Sequence, residues 1–460
     1  MNHKTSLSRR QFLSTATVAG AGALVTGGSV LASSCGEKGE AQPQKPAPIA
    51  RLKSYRIPNL VDKADDGKEL KVGLVGCGGQ GTGDLIGFVK DAANGLKVVA
   101  LGDVFKDKVD GTRARVKKET GQEVPEANCF VGFDAYKKVI ELVDVVLLIT
   151  PPVFRPLHFE AAVQAGKHIF MEKPICVDVA GALKLLAISK IADTKKLSVC
   201  TGTQRRHQRF YVESFKLIAD GIIGEITGGN VYWNGGQLWY RERQKEWSDM
   251  EWMIRDWVNW IWLSGDHLVE QHVHNLDVFN WFSGLNPVAA TGFGARQRRV
   301  TGDQYDMFSV DYEYENGIHL HSMCRQIDGC TDNVSEYIQG THGSWNSRTG
   351  EIKDLAGNVV WKWDGEKESQ EFKQTNAYVL EFVDLVNSIR KGEPFNETEA
   401  TANSSLLAVL GRESAYTGKR ITWEDLKKSN LDLLPKEPKL EKQDMSKYVV
   451  HVPGKGKGDK

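Results

Sequence analysis

The chain lacks a charge excess of either sign. Lys+Arg and Asp+Glu both number 59 among 460 residues, so nothing draws the protein onto a phosphate backbone, and nucleic acid is not an expected partner. It lacks an apolar run of about 18 residues after position 35, so the body is not expected to span a membrane. It lacks any Cys-x-x-Cys pair among its seven Cys, which removes zinc knuckles and thioredoxin-type sites. Cys77, Cys129, Cys176 and Cys200 sit in apolar or small-residue runs and read as buried thiols, whereas Cys324 and Cys330 are candidates to pair in an oxidising compartment. Hydrophobic residues at 41% and charged residues at 26% exclude wholesale disorder, and the length asks for two or three domains.

What is present starts with a basic, then apolar, then small-residue segment over residues 1–35, the three parts of an export signal. Ser8-Arg9-Arg10-Gln11-Phe12-Leu13 resembles a twin-arginine signal, the address of proteins exported already folded. Leu31-Ala32-Ser33-Ser34-Cys35 resembles a lipoprotein processing site, in which Cys35 would carry a lipid and tie the protein to a membrane; Ala32 departs from the usual bulky residue. Lys4, Arg9 and Arg10 lie in this segment with no acid, so the remainder carries a net charge of about −3. The expected location is the periplasm.

From Leu70 onward short β-rich runs alternate with helical patterns. The strand candidates are 71–75, 98–103, 143–150, 167–170 and 197–201, with helices at about 107–120, 155–166 and 179–193. Strands alternating with helices predict an α/β domain with a parallel sheet. After the first strand comes Gly76-Cys77-Gly78-Gly79-Gln80-Gly81, a dinucleotide fingerprint: Gly76 for the tight turn, Gly78 for close approach of backbone to pyrophosphate, Gly81 for packing of helix on strand. Asp103, 22 residues after Gly81, stands where a carboxylate bonds a ribose 2′-hydroxyl and repels a 2′-phosphate, so NAD is the expected cofactor.

A second set of motifs follows. Thr150-Pro151-Pro152 ends a strand, His158 opens a helix, and Ala165 to Pro174 closes on Glu172-Lys173-Pro174. Together with the fingerprint this resembles the family of glucose–fructose oxidoreductase, inositol dehydrogenase and the rhizopine catabolism protein, over roughly residues 70–425. Leu410 to Lys419 also resembles the closing helix and turn of one branch. The resemblance implies a Rossmann domain followed by an α+β domain with a large open, mainly antiparallel sheet, often an oligomer interface, hence a homodimer or homotetramer. It implies that Lys173 lies beside the nicotinamide and the substrate hydroxyl, that the Lys173–Pro174 bond is cis, and that Gly79, Gln80, Thr150, Pro151, His158 and Glu172 help hold the cofactor. It places the second catalytic pair at Glu270 and His274, with Glu270 a departure from the family's Asp, and it implies no metal.

Residue spacing agrees. At about 100° per residue, His267, Glu270, Gln271 and His274 share one helix face, and Leu268, Val269, Val273 and Leu276 the other. That polar face also has metal-ligand chemistry. His272 falls on the packing side and reads as a hydrogen-bonded core histidine. Seven of the twelve Trp lie between 233 and 262; Trp239, in a Gly-rich polar loop, is the candidate to stack on a sugar. Arg206 and His207, just after the last parallel strand, and Asp277 are the other candidate substrate contacts.

The expected domains are the signal (1–35), a linker (36–68), the NAD-binding domain (69–203), the substrate and oligomerisation domain (204–430) and a C-terminal arm or tail without chemistry (431–460). The expected activity is NAD-dependent oxidation of a hydroxyl on a sugar or glycoside. The alternatives are a glycosidase that uses NAD transiently, although its Tyr-Pro-Thr-His-Gly-like run is missing, and a non-catalytic sugar-binding protein.

Overall fold

The computed structural model describes residues 47–454. The export signal and the possible lipid site at Cys35 lie outside the described residues.

The first domain is built on a six-stranded sheet, β1 (Leu70–Val75), β2 (Leu96–Asp103), β3 (Cys129–Val131), β4 (Val145–Leu148), β5 (His168–Met171) and β6 (Val199–Thr201). All neighbours pair in parallel, in the order β3-β2-β1-β4-β5-β6. The strands are nearly continuous hydrophobic runs because helices cover both faces. Those helices are α1 (Gly79–Gly87), α2 (Lys106–Thr120), α3 (Ala135–Leu142), α4 (Arg155–Gln164) and α5 (Val179–Thr194). The order reverses between β1 and β4, which opens a crevice at their carboxyl ends, the place where open α/β sheets take ligands.

The chain continues through α6 (Arg209–Ala219), β7 (Ile226–Gly235), α7 (Asp249–Arg255), α8 (Ile261–Ser264), α9 (His267–Glu270) and α10 (Val273–Ser283). Strands β8 (Pro287–Ala295), β9 (Met307–Tyr314), β10 (Ile318–Gln326), β11 (Asn333–Gly340), β12 (Gly343–Asn346), β13 (Glu351–Asp354) and β14 (Val359–Lys362) complete most of a second sheet. Three helices follow, α11 (Gly365–Glu371), α12 (Ala377–Lys391) and α13 (Thr398–Thr417), then β15 (Ile421–Thr422) and α14 (Trp423–Lys428).

The second sheet runs β14-β13-β12-β11-β7-β10-β9-β8-β15, antiparallel except where β7 meets β10. Its strands alternate. Phe308, Val310, Tyr312 and Tyr314 of β9 point into the core, while Phe293 of β8 is 71% exposed and Met323 of β10 is 39% exposed on the uncovered face. No helix among the described residues is long and apolar enough to cross a membrane.

Three stretches depart from the expected boundaries. Within the expected linker the chain is fixed from Ile49 on: Ile49 and Leu52 are buried, the Ile49 N–H donates to the Ala219 carbonyl at 2.8 Å, and Arg56 forms a two-pronged pair with Asp384 at 2.6 and 2.7 Å. Helix α12, far along the chain, returns to the first domain, where Phe382 packs edge-on to Phe88 and Phe170. The arm after α14 has fixed contacts through Gly454. Cys324 is buried and Cys330 exposed, and both are free thiols, so the candidate disulfide is absent; Cys129 is only partly buried.

Candidate active site

A cavity of about 1000 Å³ opens at the carboxyl ends of β1, β2, β4 and β5 and is closed on its far side by the second domain. Gly76, Gly78, Gly79, Gln80 and Gly81 line one end. Gly76 has φ +103°, and a Cβ there would stand 2.5 Å from the Ile149 carbonyl oxygen; a Cβ on Gly81 would stand 2.0 Å from the Gly76 oxygen. By contrast, Cβ atoms on Gly78 and Gly79 would meet nothing within 4 Å and would project into open space. Helix α1 begins there with Gly78 as its cap and no side chain accepting its first N–H groups. Bare N–H groups at a helix start, beside glycines that leave room, fit a dinucleotide pyrophosphate.

Asp103 ends β2 on the cavity wall. Its two oxygens accept the N–H of Cys77 at 2.8 Å and of Phe105 at 2.9 Å, so it ties the glycine loop to the following turn. Burial pushes its carboxyl up, and those two N–H groups offset part of the rise. Each oxygen keeps a lone pair for a ribose hydroxyl.

Thr150, Pro151 and His158 line the middle of the cavity. His158 is buried, stands 3.3 Å from the Thr150 hydroxyl and packs on Tyr136, and burial together with the Arg155 charge lowers its pKa to about 3. Arg155 itself, which sequence reading passed over, is buried and donates to the carbonyls of Glu172 at 2.7 Å and Pro174 at 2.6 Å. It grips the Glu-Lys-Pro turn from both sides. The Lys173–Pro174 bond is cis. Glu172 accepts the Lys173 N–H at 2.8 Å and lies against Gly202, where a Cβ would come 2.5 Å from its carboxylate. Burial raises the carboxyl of Glu172, and raises that of neighbouring Asp84 to about 8.

Lys173 crosses to the second domain. Its ammonium donates to the Glu270 carbonyl at 2.6 Å and stands 3.4 Å from the Glu270 carboxylate. His274 completes the group: it is 5% exposed, its ring stacks on Trp233 at 5.6 Å and 20°, and it lines the cavity with Glu270 and Gln271. Burial, then the charges of Lys173 and Arg205, hold its pKa well below the ordinary value, so the imidazole is neutral. The expected single helix is two, α9 and α10, broken at Gln271-His272. The break turns His267 off the cavity toward the Trp233 carbonyl at 3.2 Å. His272 is the core histidine the pattern predicts, 2.7 Å from the Ser322 hydroxyl.

Trp239 lines the cavity, 46% exposed, edge-on to Trp257 and beneath Arg241. Arg206, His207 and Asp277, expected to meet substrate, lie elsewhere. Arg206 and Asp277 form a buried two-pronged pair at 2.8 and 2.9 Å, and His207 sits between Glu397 at 3.0 Å and Asp384 at 3.4 Å. Arg205 likewise pairs with buried Glu336. Arg205 and Arg206 therefore spend their charge on buried carboxylates of β11 and α10, since an unpaired charge in the interior is costly. Among the described residues one group has metal-ligand chemistry, Cys200, His207 and Glu397 within 4.8 Å of one another. It is apart from the cavity, and Glu397 already accepts from His207 and from the Thr201 N–H.

Comparison with known proteins matches residues 70–201 to the oxidoreductase family with an NAD-binding Rossmann fold, and residues 211–346 to the GFO/IDH/MocA C-terminal domain. The chain belongs to the GFO/IDH/MocA family. Its first domain is thus an NAD-binding domain, which the glycine cradle fits. A glycosyl hydrolase family 109 protein of Solibacter usitatus is 26% identical over 41% of this chain, a match spanning only 43% of that protein. The scyllo-inositol 2-dehydrogenase (NADP(+)) of Bacillus subtilis is 22% identical over 54% of this chain and 70% of its own. The structure of Lactobacillus casei scyllo-inositol dehydrogenase with NAD(H) and scyllo-inositol superposes with TM-score 0.57 at 20% identity, covering 77% of this chain and 99% of that one.

Proposed function

We propose that the protein is an exported oxidoreductase that oxidises a hydroxyl of a sugar, polyol or glycoside with NAD held in its cavity. The observation that carries this is that Lys173 and neutral His274, close enough for the charge of one to act on the other, line the same cavity as the glycine cradle. NAD, when bound, supplies the acceptor for the hydride that leaves the carbinol carbon. The residues of the chain handle the proton and the position. His274, held neutral by burial and by nearby cations, is a weak base, so it takes the hydroxyl proton as the hydride departs rather than before. The Lys173 ammonium, fixed by the Glu270 carbonyl, donates toward the same oxygen and stabilises its developing negative charge. Arg155 and Glu172 hold the turn that aims Lys173. Trp239 offers an exposed ring to the C–H face of a sugar.

Export rests on the basic, apolar and small-residue order of residues 1–35 and the Arg9-Arg10 pair. The uncovered face of the second sheet, with Phe293 and Met323 exposed, supports assembly into a homo-oligomer.

A second reading is favoured by the family 109 relative: a glycosidase in which oxidation acidifies the neighbouring carbon, elimination breaks the glycosidic bond, and the hydride is given back. Product analysis on a panel of inositols, sugars and glycosides without added NAD decides between them. A ketosugar or ketopolyol supports the oxidoreductase and a freed aglycone the glycosidase. No turnover of any polyol or glycoside contradicts both.

A further inference from the structure

The chain after α14 reads in sequence as an extended arm or a tail without chemistry, and the structure pins it to both domains. At the head of α5, the Leu431 carbonyl accepts the Ala180 N–H at 3.1 Å and the Leu433 N–H donates to Asp178 at 2.7 Å. At the start of α7, the Glu441 carbonyl accepts the Met250 N–H at 3.2 Å and the Gln443 N–H donates to Asp249 at 3.0 Å. Further on, Tyr448 packs edge-on to Trp260, and His451 stacks on Tyr416 at 4.3 Å while its carbonyl accepts from Tyr305 at 2.9 Å. Leu433, Leu434, Met445 and Tyr448 pack against Phe105, Phe154 and Ile254.

Between the two pins the chain spans from one domain to the other. There Lys436, Glu437, Pro438 and Lys439 line the same cavity as Asp103, Phe105 and Lys108, and Leu433 and Leu434 just before them pack against the cluster that holds Phe105. Asp103 and Phe105 mark the carboxyl end of β2, where the ribose of a bound dinucleotide lies. We propose that residues 436–439 are part of the cofactor site: a strap over the adenosine half that holds NAD in place from one turnover to the next. This rests on the NAD reading of the cavity and adds to it the residues that set the rate of release.

The physical argument has three parts. The strap is ordered by contacts made on folding, so its entropy cost is already met before nucleotide arrives. Lys436, Lys439 and Lys108 bring three cations to the lining of the cavity against one carboxylate of the segment, Glu437, and a dinucleotide is a polyanion. A segment fixed at both ends across a cavity resists exit more than it changes the contacts of the bound state, so its effect falls on the off-rate.

The test replaces Lys436, Glu437, Pro438 and Lys439 together by Gly, which leaves both pins intact. Purified protein is loaded with NADH, chased with excess NAD, and release is followed by nucleotide fluorescence. The variant is expected to release NADH at least about tenfold faster than wild type, with an unchanged melting temperature in the absence of nucleotide. An equal release rate overturns the strap. A second variant, Lys436→Glu with Lys439→Glu, keeps the backbone path and is expected to weaken NADH binding more at low salt than at high salt; unchanged binding at every salt overturns the role of the two ammonium groups. Failure of the NAD reading is distinct: wild-type protein would then bind no NADH at all.

Discussion

Lys173 of the first domain donates to the backbone carbonyl of Glu270 in the second, at 2.6 Å, and only more distantly to the Glu270 carboxylate, at 3.4 Å. The main anchor of the lysine is therefore one that any residue at 270 supplies. This accounts physically for Glu standing where relatives of this family are expected to carry Asp, since the extra methylene does not disturb a carbonyl.

From this, Lys173→Ala and His274→Ala are each expected to lower kcat by at least about 10²-fold with NAD binding retained, the usual share of a proton-transfer group. Glu270→Gln is expected to cost less than either. Steady-state kinetics and NADH titration check all three variants, and a larger loss in Glu270→Gln would make the carboxylate itself the base.

The pH profile follows from the burial of His274. The imidazole accepts a proton only when neutral, so activity falls as pH drops through its pKa. Burial and the charges of Lys173 and Arg205 hold that pKa well below the ordinary value of about 6.5. The acid limb of kcat/KM is expected to lie well under pH ~6.5. A limb centred near the ordinary value contradicts the assignment of His274 as a base held neutral by its surroundings.

Asp103→Ala removes both the carboxylate proposed to bond the ribose and the tie between the Cys77 and Phe105 N–H groups. It is expected to weaken NAD by about tenfold or more and to narrow the preference over NADP, a difference of about 1.4 kcal/mol per tenfold. Titration with both cofactors checks this. A preference left as it was reduces Asp103 to a loop tie.

Arg206 answers to stability rather than to substrate. Arg206→Ala leaves Asp277 buried without its partner, a loss of about 3–5 kcal/mol in comparable cases. A large fall in melting temperature with KM unchanged in the surviving folded protein is expected; a raised KM with unchanged melting would return Arg206 to the substrate.

The local patterns were legible where a short stretch decides the outcome. Gly81 is required by a contact within the same turn and Gly76 by its positive φ there; Asp103 is marked by its place at a strand end, and Lys173 by a motif that leaves a parallel strand. Periodicity separated His274 from His272 correctly and put Glu270 on the cavity side. It did not reveal the break at Gln271-His272 that turns His267 inward, because both helices keep the same register on paper. Arg206 and His207 were misread as substrate contacts because a charged run after the last parallel strand stands where ligands bind until its partners are known, and Asp277 because its partner Arg206 is equally remote in sequence. Those partners, Asp277, Glu397 and Asp384, lie 71, 190 and 177 positions farther along the chain. The same distance hid the return of α12 to the first domain and the strap at 436–439, whose pins at Asp178 and Asp249 carry no local signal.

The central claim is that a carbinol hydrogen of the substrate passes to NAD at a site built by Lys173 and His274. Its most direct test uses sugars, inositols and glycosides deuterated at their ring carbinol carbons, incubated with purified enzyme, quenched, and the bound nucleotide analysed by mass spectrometry. Quenched within the first turnover, wild-type protein is expected to carry one deuterium on the nicotinamide, and Lys173→Ala to gain it at least about 10²-fold more slowly. A ketosugar or ketopolyol formed by wild-type enzyme in a single turnover with an unlabelled nucleotide would contradict it.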